Sequence, residues 1–74
     1  MLNANETQAV LERFFNDCFS FWLRHHGFDE RKAFEFAVDD VKDLKCDPFV
    51  PCGKELDVEA KEKFIKYREM DLGR

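Results

Sequence analysis

Glycine and proline are scarce in this chain, with three Gly and two Pro among 74 residues. A many-stranded sandwich or barrel needs turn residues at roughly every 8 to 12 positions, so an all-β architecture is disfavoured and helices are the default. Long apolar runs are also missing. The longest uncharged, mostly apolar stretch, Cys18 to Leu23, falls well short of the roughly 20 residues a membrane-spanning helix requires. The opening residues MLNANETQAVLERF have neither the basic start nor the apolar centre of a signal peptide, and Glu6 and Glu12 speak against a transit peptide; a cytoplasmic location is expected.

Basic charge is short as well. Twelve Lys and Arg face sixteen Asp and Glu, a net charge of -4, which opposes binding by phosphate neutralisation. The cysteines Cys18, Cys46 and Cys52 are odd in number, unlike the even disulfide framework of small secreted domains, so reduced thiols are expected. Ser20 is the only serine and lacks the glycine context of a nucleophile elbow. A Cys/His hydrolase in a chain this small would also lack walls for a substrate cleft of several hundred Å³, and no enzymatic activity is expected.

What the chain does have is apolar mass. It is 45% hydrophobic and carries nine Phe, one Trp and one Tyr, enough for a core in a single domain spanning residues 1–74. Asn5 and Gln8 have the form of a capping box, with Asn3 as the less favoured cap. An apolar pattern at helical spacing then runs to Arg24, His25 and His26, whose positive charge suits the last turn of a helix. Gly27 permits the left-handed stop, and Phe28 is placed to pack back on the helix. Asp29 caps a second helix with Ala33, Phe34, Ala37, Val38, Val41 and Leu44 on its apolar face.

Pro48 and Pro51 interrupt helical geometry after Cys46. Phe49 and Val50 are expected to plug this loop onto the core. Asp57 then caps a third helix with apolar Val58, Ala60, Phe64, Ile65, Tyr67 and Leu72, with Glu59–Lys63 and Glu62–Lys66 spaced as ion pairs and Gly73 at its end. The expectation is an all-α, small three-helix bundle, with helices at about 6–26, 30–45 and 58–72 and a Pro-containing packed loop over 46–56.

Three chemistries are weighed against this pattern. Cys46 and Cys52 with His25 and His26 invite a metal reading. However, structural zinc sites use a tighter cysteine spacing, and adjacent helical histidines diverge by ~100°, so neither metal nor cofactor is expected. The acidic residues around Asp39, Asp40 and Asp43 lack the central glycine of a calcium loop and alternate with Arg31, Lys32 and Lys42, as a solvated helix face does. A helix-turn-helix reading fails on the net negative second helix; a nucleic-acid-associated regulator would need Arg24, His25, His26, Arg31 and Lys32 to form a local basic end.

The first helix carries the most informative signal. At ~100° per residue its apolar side chains, from Val10 through Phe21, Phe14, Cys18, Leu11, Trp22, Phe15 and Phe19 to Leu23, sweep roughly 220°. One packing stripe needs little more than half of that. The surplus leads to the expectation of a protein–protein interaction module that forms a homodimer, an adaptor or regulator of bacterial or phage type. Phe15, Phe19, Trp22, Leu23 and Phe36 are its candidate interface residues; any further protein partner is unspecified.

Overall fold

Two hydrogen bonds near the N-terminus decide where the first helix starts. The Asn3 side-chain oxygen accepts from the Glu6 amide at 2.8 Å, and the Glu6 carboxylate accepts from the Asn3 amide at 3.1 Å, a complete capping box. In the computed structural model, which describes residues 1–72 apart from the side chain of Leu72, helix α1 therefore runs Ala4–His25. It begins ahead of the expected cap at Asn5. Leu2 accounts for the choice: it is buried, and its amide donates to the Glu55 carbonyl at 2.9 Å, which anchors the chain immediately before Asn3.

Gly27 adopts a positive φ of 65°, the left-handed stop that its missing Cβ allows. Helix α2 follows over Glu30–Asp43, and the Asp29 side chain caps it by accepting from the Lys32 amide at 2.7 Å. It ends before the expected residue 45 because Leu44 is already extended. From there the Leu56 amide donates to the Lys45 carbonyl at 3.1 Å and the Asp47 amide to the Lys54 carbonyl at 3.0 Å, a two-rung antiparallel clasp. A backbone committed to that pairing cannot stay helical.

The proline loop closes tightly within the clasp. A Cβ at Gly53 would overlap the Asp47 carbonyl, and the Phe49 amide donates to Asp47 Oδ1 at 2.9 Å, an Asx turn. Phe49 is partly buried, with the Arg13 guanidinium 4.1 Å above its ring. Val50 is exposed and does not plug onto the core as expected. Helix α3 then spans Val58–Leu72; Gly73, read from the sequence as its stop, lies outside the described residues.

All three helices pack on one another. The meeting of Thr7 with Asp57 and of Phe15 with Phe64 makes α1 and α3 parallel, whereas α2 folds back across α1 after the turn at Gly27, with Trp22 beside Phe36 and Phe15 beside Phe34. Leu11, Phe15, Ala37, Val38, Val41, Leu56 and Phe64 form the heart of the core. Thr7 is the one buried polar residue among the described residues, and its Oγ1 accepts from the Asp57 amide at 2.9 Å, so the hydroxyl is not left unpaired in an apolar setting. Lys61 ties α3 to α2: its ammonium donates to the Lys42 carbonyl at 2.8 Å and to that of Leu44, satisfying carbonyls that end α2.

Helix α3 departs furthest from expectation. Phe64 is buried, but Val58, Tyr67 and Met70 are exposed, because α1 and α2 cover only one side of this helix. The ion pairs expected for Glu59–Lys63 and Glu62–Lys66 do not form; among the described residues the ion pair present is Lys42–Glu69 at 3.3 Å. The molecule is a slab of 34 × 27 × 16 Å.

Candidate functional site

The last turns of α1 and the first turns of α2 gather an aromatic cluster at one end of the bundle. Gly27 reverses the chain, and the Phe28 amide reaches back to the Trp22 carbonyl at 3.4 Å. That return lays the Phe28 ring nearly parallel to Trp22, with centroids 5.7 Å apart and planes at 7°. Phe36 completes the stack, 4.8 Å from Trp22 and 5.1 Å from Phe28.

A carboxylate fixes the tilt of this stack. The Trp22 indole Nε1–H donates to Asp40 Oδ2 at 2.9 Å, so the one polar atom of the indole is satisfied. Cys18 also hydrogen-bonds Asp40; burial first, and then the Asp40 carboxylate, push its thiol up from the ordinary 9.0 to about 12. Cys18 is therefore a protonated, partly buried thiol, in keeping with its reading as a small core residue. Cys46 and Cys52 are free and exposed.

Phe21 lies on the outer side of the stack. It packs edge-on against Trp22 at 5.3 Å and His26 at 5.2 Å and lies tilted over His25 at 5.0 Å, and remains 46% exposed. His26 also lies 4.7 Å from Trp22. The histidines, read from the sequence as caps for the last carbonyls of α1, instead face rings; among the described residues no hydroxyl, thiol or carboxylate hydrogen-bonds their imidazoles. Lys32 holds its ammonium 4.7 Å from the centre of the Phe28 ring, a cation–π contact.

The candidate interface residues divide between two places. Trp22 and Phe36 belong to this end. Phe15 does not: it is 4% exposed and packs on Phe19, Phe34 and Phe64, so its surface is consumed within the chain and it has none to offer a partner. Phe19 and Leu23 are partly buried, and Phe19 packs edge-on against Phe34 at 6.3 Å, beside the core. Sequence reasoning missed Phe21, which the angular pattern placed beside Val10, and Phe28 as a stacking partner. The spacing of Phe21 from His25, four residues apart on one helix, was the available signal.

The other readings meet the same geometry. Among the described residues no group of three or more His, Cys, Asp or Glu side chains could hold a metal ion. Arg24, His25, His26, Arg31 and Lys32 do share the corner between α1 and α2, but Asp29 and Glu30 sit between them in the chain. No helix among the described residues is long and apolar enough to cross a membrane. No protein-family model matches the chain, and no curated protein or solved structure shows significant similarity to it.

Proposed function

We propose that this chain is a protein–protein interaction module that self-associates as a two-fold dimer through the aromatic end of α1, serving as an adaptor or regulator of bacterial or phage type. One observation carries the reading: Phe21 stands 46% exposed on a cluster of stacked rings. Exposed aromatics continuous with a rigid, partly desolvated stack are the usual anchors of interfaces. Trp22 and Phe36 lie behind Phe21 as its support, whereas Leu23, ~200° round α1 from Phe21, lies outside this patch.

The charges around this end favour a second copy as the occupant. Arg24 closes α1 and Asp29 with Glu30 opens α2, so a two-fold axis can set the basic end of one protomer against the acidic start of its mate. The accessible surface of 5318 Å² also exceeds the roughly 4800 Å² that size scaling gives for a folded monomer of this mass.

Analytical ultracentrifugation tests the reading. The wild-type chain is expected to sediment at twice 8.8 kDa at micromolar to millimolar concentration, and Phe21→Asp to sediment as a folded monomer whose melt stays cooperative and no longer depends on concentration. Loss of an anchor of this type weakens association by about 2 kcal/mol or more, roughly thirtyfold. A wild-type mass of 8.8 kDa across that whole range would sink the proposal.

A further inference from the structure

A groove of ≈ 420 Å³ runs between the first half of α1 and the outer side of α3, away from the aromatic end. Its size is that of a small-molecule site, which corrects the expectation that so small a domain has no walls for one: α1 and α3 supply them. Phe64 and Ala60 supply apolar surface and Gln8 lines the α1 side, with Lys63, Tyr67 and Arg68 along α3.

Arg68 is the unusual group there. Its guanidinium carbon lies 4.7 Å from the centre of the Phe15 ring and 4.8 Å from that of Phe64, and the side chain is partly buried. Among the described residues no carboxylate lies within 4.0 Å of it. Contacts with ring faces hold a guanidinium in place without using its five N–H donors. A fork immobilised in this way has already lost the rotamer freedom that ligand binding would otherwise cost. Lys63 adds a second cation: the pair with Glu59 expected from its spacing is not made, and its side chain lines the same groove.

We propose that the α1–α3 groove binds a small monocarboxylate with an apolar body, its carboxylate taken by Arg68 and Lys63 and its body laid on Phe64 and Ala60. A planar carboxylate matches the guanidinium fork in two parallel hydrogen bonds. Glu12, Asp57 and Glu59 also line the groove and repel every anion, a multiply charged one more strongly than a monoanion, which ranks a monocarboxylate held by the Arg68 fork above phosphate esters and nucleic acid. The site is independent of self-association through the aromatic end.

The test is a titration of ¹⁵N-labelled wild-type protein with 3-phenylpropionate, its neutral amide and inorganic phosphate, followed by NMR. The carboxylate is expected to shift Ala60, Lys63, Phe64 and the Arg68 Nε–H together, with the amide and phosphate roughly tenfold weaker or worse. Arg68→Gln is expected to weaken carboxylate binding by a similar factor and Lys63→Gln by several-fold. Should Arg68→Gln fail to fold, the comparison of carboxylate with amide on wild-type protein and the Lys63→Gln titration still decide. Equal binding of carboxylate and amide, phosphate binding as strong as the carboxylate, shifts confined to the Trp22 end, or no saturation by about 10 mM each overturn the proposal.

Discussion

Seven phenylalanines and the single tryptophan build two aromatic clusters that differ in geometry and in which helices they join. In the core cluster, Phe15 meets Phe34 and Phe64 edge to face, at 5.0 and 6.0 Å, and so connects one ring from each helix. In the end cluster, Trp22, Phe28 and Phe36 stack nearly parallel and connect only α1, the turn and α2. The first cluster is shut inside three helices. The second is open on the side of Phe21, with no ring from α3 stacked on it. Closure by a third helix, more than the number of rings, separates aromatic mass that stabilises the fold from aromatic mass left for a partner.

The largest effects test that difference directly. Phe15→Ala removes a ring that all three helices pack on, and the expected loss is about 3–5 kcal/mol, a large part of the stability of a small domain. Phe36→Ala removes a partly exposed ring from two helices, with an expected loss of about 2 kcal/mol. Urea melts of the two variants give the ratio. Equal losses would break the distinction between the clusters.

A middle-sized effect concerns the carboxylate behind the end cluster. Asp40→Ala leaves the Trp22 indole N–H without its acceptor, at an expected cost of about 1–3 kcal/mol. It also lifts one of the influences that raise Cys18. Because the folded thiol titrates at about 12 and its ordinary value is 9.0, the protonated thiol contributes its full stabilisation below pH 9.0. That contribution is lost as pH rises from 9.0 towards about 12. The stability difference between wild type and Cys18→Ala is therefore expected to hold steady through neutral pH and to shift against the wild type in alkaline melts. A difference that stays constant above pH 9.0 would show that Cys18 is not held protonated by its surroundings. Thiol labelling near neutral pH provides a second check: Cys46 and Cys52 should react at once and Cys18 only after unfolding.

Much of this architecture is legible in the sequence, and the failures share a cause. Gly27, Asp29 and the two prolines mark the breaks between helices through local backbone chemistry, which neighbours in sequence largely determine. The start of α1 was misjudged because Asn3 and Asn5 both stand before the apolar run; the choice between them rests on Leu2 bonding to Glu55, a contact made across the whole chain. Phe15 and Phe21 were exchanged for a related reason. A helical wheel gives every turn of α1 the same neighbours, but Phe15 lies where α3 supplies Phe64 and Phe21 lies beyond the rings that α3 contributes. Tyr67 is one of the apolar positions of α3, yet it is 69% exposed, since which side of α3 faces inward depends on how three helices dock. The α1–α3 groove was invisible for the same reason.

The smallest effect is the most discriminating. Gly27 has φ 65° with open space where a Cβ would stand, so Gly27→Ala meets no neighbour and pays only the backbone penalty of the left-handed region, about 1 kcal/mol. Asn tolerates this region better than Ala, and Gly27→Asn is expected to lose less. Neither substitution touches the core cluster. Both alter the turn that returns Phe28 to Trp22, so they should disturb the end cluster out of proportion to their cost in stability. Paired melts and sedimentation on Gly27→Ala measure that disproportion: a modest fall in the urea midpoint is expected with a severalfold weaker dimer. A melt lowered as far as that of Phe15→Ala would mean that the turn and its stacked rings hold the fold together, leaving the two clusters with one shared role.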